Sequence, residues 1–128
     1  MATNERPASK PVARILIVDD EPDIRFMMRL ILEGAGYQVT EARHGLAGLK
    51  SVKARRPVLV ITDVMMPTMD GLELIERLRS DPKTAAIPIL VVSGNSDLAA
   101  AANTRISKPF LARELLSAAA LLIRENGS

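Results

Sequence analysis

Apolar residues in this chain fall into short unbroken runs, separated by stretches in which they recur with a helical period. Ile15-Leu16-Ile17-Val18, Leu59-Val60-Ile61 and Ile89-Leu90-Val91-Val92 contain no alternating polar residue. That pattern marks strands buried on both faces of a parallel sheet. A first helix is predicted from Pro22 to about Glu33, with Pro in the first turn, where its missing N–H costs nothing. Ile24, Met27, Met28, Ile31 and Leu32 form its apolar face, and Gly34 and Gly36 end it. Tyr37 to Ala42 reads as a short second strand. A second helix runs from Gly45 to about Ala54 with Leu46, Leu49 and Val52 inward, and stops ahead of Pro57. The third strand is Val58 to Thr62, and the third helix is Gly71 to about Arg79 through Leu72, Leu74, Ile75 and Leu78. Pro88 introduces the fourth strand, Ile89 to Val92. A weaker fifth strand lies around Ile106, and a final helix covers about Ala112 to Arg124. Residues 1–13 are rich in Pro, Ala, Ser, Lys and Asn without periodicity and read as a disordered tail.

Strict alternation of strand and helix with short connections gives an α/β fold with a doubly wound parallel sheet. In such sheets the ligand crevice lies beyond the carboxyl ends of the strands. The residues standing at those ends here are Asp19-Asp20-Glu21, Asp63, Ser93 and Lys108. Parallel neighbouring strands would gather carboxylates, a hydroxyl and an ammonium in one place. Carboxylates that close raise each other's pKa unless a cation sits among them. Oxygen-only ligands select a hard cation such as Mg²⁺. A divalent ion, a nucleophilic Asp and a Lys suit phosphoryl transfer. Taken singly, Asp19-Asp20-Glu21 reads equally well as an acidic turn at a helix start.

Composition narrows the picture by exclusion. The chain of 128 residues is one domain by length and can bury a core without staples. Phe26, Phe110 and Tyr37 are its only aromatic residues, so the core must be aliphatic. A net charge of +2 with so few rings argues against a direct nucleic-acid surface. Without cysteine there is no disulfide framework, thiolate metal site or cysteine nucleophile, which fits a cytoplasmic setting. No apolar run approaches the roughly 18 residues of a membrane span. His44, the one histidine, reads as a solvated loop residue, and Met65, Met66 and Met69 read as loop packing.

Val18-Asp19-Asp20-Glu21, Asp63-Val64-Met65-Met66-Pro67 with Asp70-Gly71, Val92-Ser93-Gly94 and Lys108-Pro109-Phe110 together resemble the signature of bacterial response-regulator receiver domains. The resemblance spans about Ala13 to Ile123 and rests on four motifs in order. It implies a flavodoxin-like five-stranded parallel sheet of order 2-1-3-4-5 over residues 14–125. It also implies that Asp63 accepts a phosphoryl group from a sensor histidine kinase, a histidine phosphotransfer protein or a small phosphodonor. By the same resemblance Asp20, Asp63 and the Met65 carbonyl bind Mg²⁺, Asp19 acts through water, and Lys108 and Ser93 contact the phosphoryl oxygens. The Lys108–Pro109 bond is expected to be cis. The implied protein is not an enzyme in its own right but a regulatory phosphoacceptor that assists its own phosphorylation and dephosphorylation. As a single-domain regulator it would signal through a downstream protein or a relay, as a monomer or weak homodimer.

Two features depart from that family. Only 14 residues separate Ser93 from Lys108, which leaves about Ser96 to Ala102 for a shortened fourth helix. Arg105 stands where the family commonly has Tyr or Phe, and a guanidinium cannot be buried there without a partner. The alternative is a degenerate receiver used as a phosphorylation-independent interaction module. A phosphatase of the haloacid dehalogenase kind would need a second Asp at the place of Met65.

Overall fold

A computed structural model describes residues 13–66, 68–94 and 102–126. Five strands, β1 (Arg14–Val18), β2 (Gln38–Ala42), β3 (Leu59–Thr62), β4 (Ile89–Ser93) and β5 (Thr104–Ser107), form one parallel sheet in the order β2-β1-β3-β4-β5. Among the described residues four helices cover it: α1 (Pro22–Gly34), α2 (Gly45–Ala54), α3 (Gly71–Ser80) and α4 (Ala112–Asn126). The expected tail falls almost wholly outside the described residues. So does the expected helix of 96–102, apart from Ala102, which packs against the core.

The unbroken apolar runs are explained by two cores, one on each face of the sheet. In β1, Leu16 and Val18 face α2 and α3, whereas Ile15 and Ile17 face α1 and α4. The period of two along a strand sends successive residues to opposite faces. β3 divides in the same way, with Val60 on one side and Leu59 and Ile61 on the other, and β4 does so with Ile89 and Val91 against Leu90 and Val92. Both cores are aliphatic. Tyr37 and Phe110 only pack at the edge of one, and Phe26 is exposed.

Two expected core positions are corrected. Met27 and Leu46 are exposed rather than inward. In α1, Met28 and Leu32 supply the buried stripe, and Met27 lies one step round the helix from it. In α2, Gly45 lies against Met69 and Gly48 against Val18 of the sheet, and with Leu49 and Val52 inward Leu46 turns to solvent. Most apolar positions of α4 are absorbed, with Leu115, Ala119 and Leu122 buried and Leu116, Ala118 and Ile123 packed beside them, while Leu121 is exposed.

The far ends of β4 and β5 are fastened by side chains. Arg79 donates to the carbonyls of Ala85 and Ile87 at 2.8 and 2.7 Å and to Asn103 Oδ1 at 2.7 Å. Asn103 Oδ1 also accepts from the Ile89 N–H at 2.7 Å, closing the start of the β4–β5 pair.

Candidate functional site at the carboxyl ends of the strands

Parallel pairing sets the depth of each polar residue. The Asp19 N–H donates to the Ala42 carbonyl at 3.1 Å, and the Asp63 N–H donates to the Val18 carbonyl at 3.0 Å. Each carboxylate thus leaves the sheet by continuing the ladder. Asp19 is fully buried and Asp63 nearly so, at 7% exposure, while Asp20 is exposed. Carboxylate oxygens of Asp19, Asp20 and Asp63 lie within 4.8 Å of one another.

Lys108 reaches this group from the end of β5. Its N–H donates to the Ser93 carbonyl at 3.2 Å, and the Lys108–Pro109 bond is cis. The ammonium donates to Asp19 Oδ2 at 3.0 Å, Glu21 Oε1 at 3.0 Å and Asp63 Oδ2 at 3.1 Å. Burial works against the charge on Lys108, but the three carboxylates outweigh it and hold the pKa above the ordinary lysine value. Burial pushes the Asp19 carboxyl up, although the Glu21 N–H and Lys108 both favour its ionised form.

The two oxygens of Asp63 have different surroundings. Oδ1 accepts from the Val64 N–H at 2.7 Å and from the Met65 N–H at 3.4 Å, while Oδ2 faces Lys108. Two donors on one oxygen fix the carboxylate and leave the other oxygen to Lys108. Gly71 backs the same residue: a Cβ there would stand 1.9 Å from the Asp63 carbonyl oxygen. The Gly71 N–H donates to the Val64 carbonyl at 2.8 Å, and Asp70 caps α3 by accepting from the Glu73 N–H. Between them Thr68 has φ of 69°, a left-handed conformation that is costly for a β-branched residue.

A family model for the response regulator receiver domain matches residues 15–120. The chain belongs to that family. Among its curated relatives, the phosphate regulon transcriptional regulatory protein PhoB of Pseudomonas aeruginosa is 37% identical over 120 residues, 88% of this chain and 52% of PhoB. The DNA-binding dual master transcriptional regulator RpaA of Synechocystis is 35% identical over 118 residues, 87% of this chain and 49% of RpaA. This receiver domain thus spans about half the length of the curated relatives it matches. Among solved structures, a CheY-like receiver domain protein of Methanospirillum hungatei superposes with a TM-score of 0.83 at 30% identity, covering 91% of this chain and 98% of that one. The chemotaxis response regulator CheY4 of Vibrio cholerae superposes with a TM-score of 0.80 at 29% identity, covering 88% and 99%.

The receiver fold brings Asp19, Asp20, Asp63 and Lys108 into one crevice. It sets Ser93, buried, at the adjoining end of β4, opposite Ser107. The Met65 backbone lies beside Asp63 and its side chain is exposed. Arg105 is exposed on β5. Three participants received no role from the sequence. Glu21 binds Lys108, Gly71 backs Asp63, and Arg25 donates to the Asp19 carbonyl oxygen at 2.7 Å. Gly71 was visible as part of the Asp70-Gly71 pair, whereas nothing in the pattern pointed to Arg25.

The donor set suits a hard divalent cation. Three carboxylates converge, one of them open to solvent, and among the described residues a single ammonium pairs with them, which leaves surplus negative charge.

Proposed function

We propose that this receiver domain accepts a phosphoryl group on Asp63 in a Mg²⁺-dependent reaction, from a phosphohistidine of a sensor kinase or phosphotransfer protein, or from a small acyl phosphate. The observation that carries this reading is the asymmetry of Asp63, with Oδ1 held by two backbone N–H groups and Oδ2 turned to Lys108 among further carboxylates. Asp20, Asp63 and the Met65 carbonyl would hold Mg²⁺, with Asp19 acting through water. When bound, Mg²⁺ neutralises charge on the incoming phosphoryl oxygens.

The chain's own residues position and neutralise. An Asp63 oxygen attacks phosphorus, and the bond from phosphorus to the imidazole nitrogen or acyl oxygen breaks. The electron pair departs with the leaving group, and an acyl phosphate remains on Asp63. Lys108 donates to one phosphoryl oxygen, and the Ser93 hydroxyl to another. Such transfers depend on orientation and charge more than on covalent help from the protein. The product is dianionic where a single carboxylate stood, and that change of charge at the strand ends is the signal passed to a protein partner.

Incubation with acetyl phosphate and Mg²⁺ followed by intact mass measurement tests the reading. One phosphoryl adduct is expected on the wild type, and none on Asp63→Asn or when the metal is chelated. A wild type that stays unmodified would leave the interaction-module alternative in its place.

A further inference from the structure

Given Asp63 as the phosphoacceptor, the role proposed above on which this one rests, we propose that Glu21 is a positioning residue. It latches Lys108 in the resting state and so restrains phosphoryl uptake. A lysine ammonium has three N–H donors. All three are engaged here, on Asp19, Glu21 and Asp63, at 3.0, 3.0 and 3.1 Å. Lys108 therefore cannot donate to a phosphoryl oxygen until one of these bonds opens.

The three acceptors differ in what their release would cost. Asp19 is fully buried, and losing the ammonium would leave a desolvated carboxylate. Asp63 is the reacting group itself. The Glu21 side chain is 58% exposed, so its carboxylate passes to water at little cost. The Glu21 bond is the one that gives way. Its negative charge also stands on the same ammonium that must meet an incoming dianion, so the latch opposes phosphorylation by competition and by repulsion.

Local structure argues against a merely architectural role. Glu21 occupies the N-cap position of α1, where Ser, Thr, Asp or Asn normally accept from the helix N–H groups. Its side chain makes no capping hydrogen bond. The side chain is committed to Lys108, and its replacement removes no cap.

The test compares wild type with Glu21→Gln in the full chain, at equal Mg²⁺ and low salt. Glu21→Gln keeps an acceptor of the same length and removes the charge. Its phosphorylation rate constant with acetyl phosphate is expected to rise about threefold to tenfold, in keeping with a partly exposed ion pair and one charge beside the site. Beryllium fluoride, a stable phosphoryl mimic, should bind more tightly by a similar factor. In ¹⁵N spectra recorded before any phosphodonor is added, the Lys108 ammonium protons should exchange with water faster in the variant, a change that a structural role would not produce. Glu21→Ser, which supplies a capping hydroxyl, serves as the second variant should Glu21→Gln fold poorly, and the same acceleration is expected of it. A modified wild type whose rate, beryllium fluoride affinity and ammonium exchange all match those of both variants overturns the latch alone. A wild type that is never modified overturns the phosphoacceptor reading and the latch with it.

Discussion

Two charged clusters adjoin α1 and are built in opposite ways. On its outer side Arg25 and Arg29 meet Glu33 and Glu41 at 2.7 to 3.0 Å. Two cations face two anions near solvent, and the charges cancel. At the strand ends one cation, Lys108, faces Asp19, Glu21 and Asp63, with Asp20 adjoining. There the balance is negative, and Asp19 is buried within it. The first cluster fastens a helix to an edge strand, with Arg25 also reaching the Asp19 carbonyl. The second carries a surplus of negative charge that a further cation would offset. Charge imbalance, more than the number of ion pairs, separates a site from a fastening.

The largest expected effect comes from the backbone that aims the unbalanced cluster. Gly71→Ala would drive a methyl into the Asp63 carbonyl, so urea unfolding should show a loss of about 3 kcal/mol, the upper part of the range for overpacking. Lys108→Met removes the one cation that the described residues pair with these carboxylates and should cost about 2 kcal/mol at neutral pH, with Mg²⁺ restoring part of the loss in a thermal-shift titration. An equal loss with and without Mg²⁺ would mean that the crevice does not gather metal.

Asp19→Asn should act in the opposite direction. Burial raises the Asp19 pKa above its ordinary 3.8. A raised carboxyl contributes stability below that value, and the contribution is lost as pH rises through the folded-state pKa. At neutral pH the ionised group is therefore a net cost. Without metal the variant should melt higher than wild type at pH 7 and less distinctly so at pH 4.

Glu41 reverses that sign in the balanced cluster. Arg29, with help from Arg25, holds its carboxyl below the ordinary 4.5 despite partial burial. Its contribution is present above pH 4.5 and lost as pH falls through the lowered pKa. Glu41→Gln should flatten the acid limb of the stability profile. At pH 7 it should cost at most about 1 kcal/mol, less in high salt. Thr68→Gly is expected to have the smallest effect, a gain of roughly 0.5 kcal/mol from relief of the left-handed φ, partly offset by freedom gained in the unfolded chain.

Most of the fold was legible because a doubly wound sheet writes itself plainly. Ile15 to Val18 and Ile89 to Val92 could be continuous only if both faces were covered, and the two cores divide them by parity. The meeting of Asp19, Asp20, Asp63 and Lys108 was legible for the same reason, since parallel strands bring their carboxyl ends together. Helix faces were harder to read. Met27 and Leu46 fit an apolar stripe by spacing, but neighbouring Met28 and the glycines of α2 decided which residues turned inward. The partners of Lys108 were hardest. Glu21 looked like an acidic helix start, and only three-dimensional reach shows its carboxylate on an ammonium 87 residues away. Arg25 holding the Asp19 carbonyl has no one-dimensional signal at all.

The contrast between the clusters is tested most directly by titrating the wild type with Mg²⁺ and following backbone amide shifts by NMR. The unbalanced crevice should bind the ion, with saturable shifts centred on residues 19–21, 63–66 and 108, while Arg29, Glu33 and Glu41 move little. Shifts that fail to saturate, or that are as large around Glu41 as around Asp63, would contradict the account.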